Sequence, residues 1–216
     1  MTAVEHPVFA RLYPRMARAM DEGGLVEHRR RLLAGLAGEV IEIGAGPGGN
    51  FPHYPPEVTA VLAVEPEPRL RAIAERAAAQ APVPVEVVDG LAERLPIPDH
   101  SVDAAVFCLV LCSVPDPVAA LAGARRVLRP GGRLRVLEHG RADGHPVLAR
   151  VQRLMDATFW PALAGGCHTG RDPIAAIERA GFTVDRVERF MFPAARTPFS
   201  FHLLATAHSG PDPLAE

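Results

Sequence analysis

Apolar residues recur along this chain with two periods, and the changes between them lay out alternating strands and helices. From His6 to Ala37 the spacing is three to four, with Phe9, Leu12, Met16 and Met20 on one face and Leu25, Leu32, Leu33 and Leu36 continuing it, which predicts helix. Gly23 and Gly24 predict a break into two helices. Such a stripe ordinarily packs into a core, while Tyr13 and His28 are placed to reach a pocket if the first helix folds over it as a lid. Strands are expected at the β-branched run Val40 to Ile43, then over Val58 to Val64, Pro82 to Val88, Val102 to Leu109 and Arg133 to Glu138. Helices are expected over Pro68 to Ala79 and Pro117 to Leu128. The second carries Val118, Leu121, Ala124 and Leu128 on one face, has a proline in its first turn, and stops at Pro130-Gly131-Gly132. Gly144 to Pro161 reads as helix with Leu148, Val151, Leu154 and Met155 as its apolar face. Gly165 to Thr169 is a loop, and Thr169 or Asp172 caps a helix from Pro173 to Ala180. Beyond Gly181, Phe182 to Arg189 and Phe199 to Ala207 are expected to pair as an antiparallel hairpin. This alternation predicts an α/β fold with a parallel sheet and helices on both faces.

The organisation that follows is a helical cap over residues 1–38, a main domain over 39–208 and a flexible tail over 209–216. The length of 216 residues suits one domain with a sizeable core. A net charge of −2 without a basic run argues against a nucleic-acid-binding surface. The three cysteines, 108, 112 and 167, do not make a disulfide framework, which points to a reducing, cytoplasmic compartment. The longest apolar run, Ala104 to Cys112, is far short of the ~20 residues needed to cross a bilayer. Met1 to Pro7 lacks the pattern of a signal peptide. No membrane or nucleic-acid partner is expected, and the chain is expected as a monomer or homodimer.

The first candidate chemistry lies where the first strand ends, at Val40-Ile41-Glu42-Ile43-Gly44-Ala45-Gly46-Pro47-Gly48-Gly49-Asn50. Glycines tolerate positive φ and let backbone approach a ligand closely. A helix opening near Asn50 would aim its amides at the same ligand. Gly44-x-Gly46-x-x-Gly49 fits a dinucleotide fingerprint, and Glu65 closes the next strand where a ribose-binding acid belongs. A glycine-rich turn with no ligand is the plainer reading of the same residues.

Glu42 with Gly44-x-Gly46-x-Gly48 resembles the first motif of the class I S-adenosylmethionine (SAM) methyltransferases. Ala92-Glu93-x-Leu95-Pro96 and Val127-Leu128-Arg129-Pro130-Gly131-Gly132 resemble two further turns of that family, bordering the adenine and preceding the fifth strand. A closer likeness is to the animal methyltransferase-like thiol methyltransferases. It is carried by Asn50-Phe51-x-x-Tyr54-Pro55-Pro56, Leu109-Val110-Leu111-Cys112-Ser113-Val114, Glu138-His139, Gly166-Cys167-x-Thr169-x-Arg171 and Glu178-Arg179-Ala180-x-Phe182. The resemblance implies a three-layer Rossmann-like fold with a seven-stranded, mostly parallel sheet and a reversed terminal hairpin. It implies SAM as cofactor, leaving as S-adenosylhomocysteine, held by Glu42, Gly44, Ala45, Gly46, Gly48, Asn50, Glu65, Pro66, Gly90, Leu91, Ala92, Glu93, Cys108 and Leu109. Two departures stand out. The animal proteins carry an N-terminal membrane anchor, which is not expected here, and Leu91 stands where many relatives place an aspartate on the adenine amino group, leaving Asp89 as a substitute.

Methyl transfer from SAM asks the protein for orientation and a dry pocket. A thiol acceptor reacts as its thiolate, so a nearby histidine suffices as base. His139, after the fifth strand, is the first candidate and His168, in the glycine-flanked loop, the second. With His139, His145 and His168 scattered and no CxxC spacing, no metal site is expected. Phe107-Cys108-Leu109-Val110 lacks the Asn/Asp-Pro-Pro-Tyr signature for amino nitrogens, which favours a small apolar acceptor walled by some of Phe159, Trp160, Phe190, Phe192 and Phe199. The alternatives are an oxygen or carbon acceptor such as a phenol, quinone or polyketide precursor, an NAD-dependent oxidoreductase, and a non-catalytic SAM-binding module. The oxidoreductase is disfavoured because no Tyr-x-x-x-Lys pair occurs and the chain contains no lysine.

Overall fold

Seven strands form one sheet: β1 (Gly38–Ile43), β2 (Val58–Val64), β3 (Val85–Val88), β4 (Val102–Cys108), β5 (Leu128–His139), β6 (Phe182–Met191) and β7 (Phe201–Ser209). Their order is β3-β2-β1-β4-β5-β7-β6. The first five pair in parallel, and β7 runs antiparallel to both β5 and β6. The computed structural model describes residues 6–210, so all of the expected tail past Gly210 lies outside the described residues.

The two-residue period of the strands builds a core on each face. Ile41, Ile43, Phe107, Leu134 and Val136 point to one side, where they meet α4 (Pro117–Val127) and α7 (Pro173–Arg179) through Leu121, Ala124 and Ile177. Val40, Ala104, Val106 and Leu137 point to the other, against α2 (Val26–Leu33) and α3 (Pro68–Ala78) through Leu32, Leu33 and Ala74. Each fully buried aliphatic or aromatic side chain here contributes about 1.5–3 kcal/mol. Asp116 caps α4 by accepting the amides of Val118 and Ala119, and Asp172, rather than Thr169, caps α7 through Ala175.

Several expected boundaries move for local reasons. α1 (Pro7–Met20) and α2 are joined by a π-helical turn, Asp21–Leu25, because Gly24 sits at φ 110. α2 stops at Leu33, short of Ala37, since Ala34 is extended. β3 starts only at Val85, because Pro82 and Pro84 have no amide to give a ladder. The segment expected as one helix from Gly144 is two, α5 (Pro146–Asp156) and α6 (Trp160–Leu163). The expected apolar face of α5 is not its buried face: Val151 and Leu154 are exposed, and the residue it buries is Gln152. Hydrogen bonds from that amide anchor the helix, as described below.

Candidate active site

The carboxyl ends of β1, β2, β4 and β5 open into a cavity of about 480 Å³, the usual place and size for a ligand in such a sheet. One half is built around the glycine turn. Gly44 and Ala45 donate their amides to Val64 O at 2.8 and 3.2 Å, which fixes the turn to the end of β2. Gly44 is at φ +71, and a Cβ there would lie 2.6 Å from Val110. Gly48, at φ +83, is pressed against Phe51 in the same way. The amide of Gly46 donates to Glu65 Oε2 at 2.7 Å, and Glu67 N donates to the other carboxylate oxygen at 2.9 Å. Burial pushes Glu65 up from its ordinary value against these amide bonds.

Glu42 lies under the turn, 2 % exposed, accepting from Asn50 Nδ2 at 2.9 Å and from the Tyr54 hydroxyl at 2.7 Å. Burial raises its pKa to about 7, against the pull of those two bonds and of Arg29. Arg29, absent from the sequence expectations, completes this network. Its guanidinium reaches Asp21 at 2.8 Å, Asn50 Oδ1 at 3.0 Å and Cys108 Sγ at 3.2 Å. Burial works against its charge, but Cys108 and Asp21 outweigh it. Burial pushes the Cys108 thiol up to about 11. Only a single 3₁₀ turn, Phe51–His53, follows the glycines, so no helix N-terminus aims amides at the cavity from Asn50. Asn50 serves Glu42 and Arg29 instead. Pro66, Gly90, Leu91, Ala92 and Glu93 form the rim of this half. Asp89 does not: it pairs with Arg71 at 3.1 Å, away from the cavity.

The other half is apolar apart from one wall. Phe9, Tyr13, Met16 and Met20 of α1 line it with Val114, Trp160, Phe192 and Phe199. The α1 stripe therefore faces a cavity, and Tyr13 lies against the turn, 3.3 Å from where a Cβ on Gly46 would stand. Phe190 stacks on His28 at 4.0 Å and does not reach the cavity, nor does Phe159, which is exposed. His202, unforeseen in the sequence, adds a ring whose burial lowers its pKa to about 4, so it is neutral at physiological pH.

The polar wall is Cys112, His139 and Cys167. Sγ of Cys167 is 3.4 Å from His139 Nε2, while His139 Nδ1 is buried with no partner. Burial disfavours the imidazolium, but Cys167 and Glu138 overcome this and hold His139 above its ordinary value. Glu138, fully buried beneath, accepts amides of Val110 at 2.7 Å, Cys112 at 3.3 Å and His139 at 3.0 Å. The loops are pinned from behind. Arg171 donates to Leu111 O and Val114 O, both at 2.6 Å, and His168 N donates to Cys112 O at 2.8 Å. Gln152 accepts from Ala142 N and donates to the carbonyls of Gly140, Thr169 and Pro198. Gly166 is glycine of necessity: at φ +87, a Cβ would stand 2.5 Å from Ser113 O.

The structure thus brings together Gly44, Ala45, Gly46 and Asn50 of the turn with Glu65, Cys108, Leu109 and His139 around one cavity, while Gly48 packs against Phe51 and Ala77 and is not part of the lining. His168 is a correction. Its ring faces Gly166 O at 2.8 Å and Arg171 at 3.3 Å, outside the cavity, so it holds a loop and is not placed to take a proton. The grouping of Cys112, His139 and Cys167 is a second: spacing had suggested no cluster, yet their donor atoms lie within 4.8 Å of one another.

Comparison with known proteins agrees with this geometry. The pattern of a methyltransferase domain matches residues 41–136. A thiol S-methyltransferase of Rattus norvegicus, TMT1B, is 32% identical over 180 residues, covering 81% of this chain and 73% of the relative. The human thiol S-methyltransferase TMT1A is 33% identical over 169 residues, covering 74% and 67%. Among solved structures, a SAM-dependent methyltransferase from Thermotoga maritima, described as a possible histamine N-methyltransferase, superposes with a TM-score of 0.69 at 22% identity, covering 94% of this chain and 98% of that one. The cavity, its glycine turn and these relatives place the chain among the SAM-dependent methyltransferases, in the family that includes the mammalian thiol S-methyltransferases.

Proposed function

We propose that this enzyme methylates the sulfur of a small, largely apolar thiol. The observation that carries this reading is a single cavity running from the glycine turn to a wall of Cys112, His139 and Cys167, with aromatic and methionine side chains between them. The thiol specificity named for the mammalian relatives points the same way.

The residues of the glycine-turn half fit an adenosyl group: a turn that presents no side chain at Gly44 and Gly46, a carboxylate at the end of β2 and an apolar rim. Glu65 is proposed to hold the ribose hydroxyls, and Leu91 and Ala92 to sandwich the base. Glu42 is proposed to act on the cofactor's amino-acid end, directly and by fixing Asn50. SAM supplies an activated methyl on a sulfonium. The chain's own part is to exclude water, to set the acceptor in line and to favour its ionised form at the His139 wall. Of the cap expected over residues 1–38, only α1 is proposed as a lid, since its Phe9, Tyr13, Met16 and Met20 line the cavity while α2 is packed into the core.

The test is methyl transfer by the purified protein to matched small thiols and phenols, with SAM and NAD binding measured by calorimetry. SAM binding with turnover of thiols is expected. Turnover of phenols alone would discard the thiol assignment while keeping the enzyme class.

A further inference from the structure

We propose that Cys112, His139 and Cys167 bind a soft divalent cation, zinc by the chemistry of the ligand set, whose fourth coordination position faces the cavity and takes the acceptor's sulfur. This rests on the thiol reading above and supplies its missing step. The three residues come from separate segments, after β4, at the end of β5 and between α6 and α7. Their donor atoms nevertheless converge within 4.8 Å, with Cys167 Sγ 3.4 Å from the His139 ring. A tetrahedral site with metal–sulfur bonds of about 2.3 Å and metal–nitrogen bonds of about 2.0 Å sets its ligands roughly 3.5 Å apart. Small side-chain shifts bring the trio to that spacing.

Three further features point to a cation. All three side chains line the cavity that also holds Gly44 and Glu65, so a three-ligand site here has its open position on that cavity. Three protein ligands with one free position is the arrangement of catalytic rather than structural zinc. Glu138 is fully buried beside the trio, and among the described residues no arginine pairs with it. Arg171, on the loop that carries Cys167, is turned to the carbonyls of Leu111 and Val114. The wall is also held in place: His168 N ties the Cys167 loop to Cys112 O, and Gly166 lets that loop touch the segment at Ser113.

The chemistry balances without a further reagent. A coordinating thiol is deprotonated by the cation, so the acceptor releases its proton to solvent on binding. Its sulfur forms a bond to the methyl carbon as the methyl–sulfonium bond breaks, and that bond's electron pair stays on the cofactor's sulfur. The product thioether is a poor ligand and departs. His139 then acts as a ligand, not as the base.

The test begins without turnover. Full-length protein, purified reduced, is analysed for metal, stripped with a chelator, and titrated with Zn²⁺ and with Co²⁺ as a spectroscopic probe. Stoichiometric zinc is expected, with cobalt–thiolate charge-transfer absorption and the intense visible bands of tetrahedral coordination. Cys167→Ser, on the half-exposed loop, is expected to weaken metal binding by about 10-fold or more while S-adenosylhomocysteine still binds. Thiol methylation is expected to fall on stripping and to return with Zn²⁺. Absence of both zinc and the cobalt spectrum in the wild-type protein would overturn the site. Undiminished thiol turnover by the stripped enzyme would overturn the cation's role and leave the thiol reading standing. Metal bound at the trio of a protein that methylates phenols but no thiol would sink that reading, and this role with it.

Discussion

Glu42 shows how a single side chain ties stability to function. Its carboxyl is raised from an ordinary 4.5 to about 7 by burial, so the folded state holds a proton that the unfolded chain releases between those values. Stability from this group is therefore fully present below about pH 4.5 and is lost as pH rises through 7. The difference corresponds to roughly 3 kcal/mol. Glu42→Gln removes the charge and keeps a partner for Asn50 and Tyr54. Its melting temperature is expected to exceed the wild type's at pH 8 and to converge with it at pH 5. Because burial also raises Glu65 and Glu138, the informative quantity is the difference between the two proteins, not the wild-type slope. A variant melting below the wild type at pH 8 would show that the carboxylate is net stabilising there. Calorimetry on the same variant is expected to show weaker SAM binding. The sequence marked Glu42 by its place before the glycines. It gave no sign of Arg29, which looks like any surface arginine on a polar helix until the fold carries Asn50 and Cys108 against it.

Elements were legible where one local pattern decided them. β2 falls on Val58–Val64 as expected, because a run of small and β-branched residues has no other stable reading. α5 was misjudged because its anchor is polar. Gln152 meets four backbone groups from three loops, and nothing in apolar periodicity records an amide used this way. Gln152→Ala would leave those buried groups without partners, at about 1–3 kcal/mol for each that water cannot reach. A melting temperature lowered by several degrees is expected, with KM for the acceptor raised and SAM affinity little changed, since the freed loops form the acceptor half. An equal loss in both halves would mean that α5 supports the whole sheet. Gly166→Ala is a finer probe of the same wall. Its Cβ would collide with Ser113 O, so the Cys167 loop must withdraw from Cys112. Acceptor turnover is expected to fall by more than SAM binding does. The trio of Cys112, His139 and Cys167 could not be read from spacing at all, because only the parallel crossovers bring its three segments together.

At the scale of the whole molecule, the cavity lies between the ends of the central strands and α1. β1 and β4 are central strands, paired on both sides and buried on both faces, so their amides open only with much of the molecule. α1 buries only Ala10 and Ala17 fully. Its Phe9, Tyr13, Met16 and Met20 face the cavity. That is why its stripe read as core in the sequence: a helix packed on a ligand and a helix packed on protein carry the same pattern. The turn at Gly24 supplies a bend that the neighbouring helices need not follow. Contacts from α1 to a bound cofactor would stabilise the closed cover, and each 1.4 kcal/mol so gained lowers its opening equilibrium constant about tenfold. Amide hydrogen exchange in residues 7–20 is therefore expected to slow by about tenfold or more with saturating S-adenosylhomocysteine, while β1 and β4 change little on the same timescale. Equal exchange in α1 with and without ligand would mean that the helix is a fixed wall, with substrates entering elsewhere. Slowing confined to α1 and the 160–170 loop would mark both sides of the acceptor half as the parts that close.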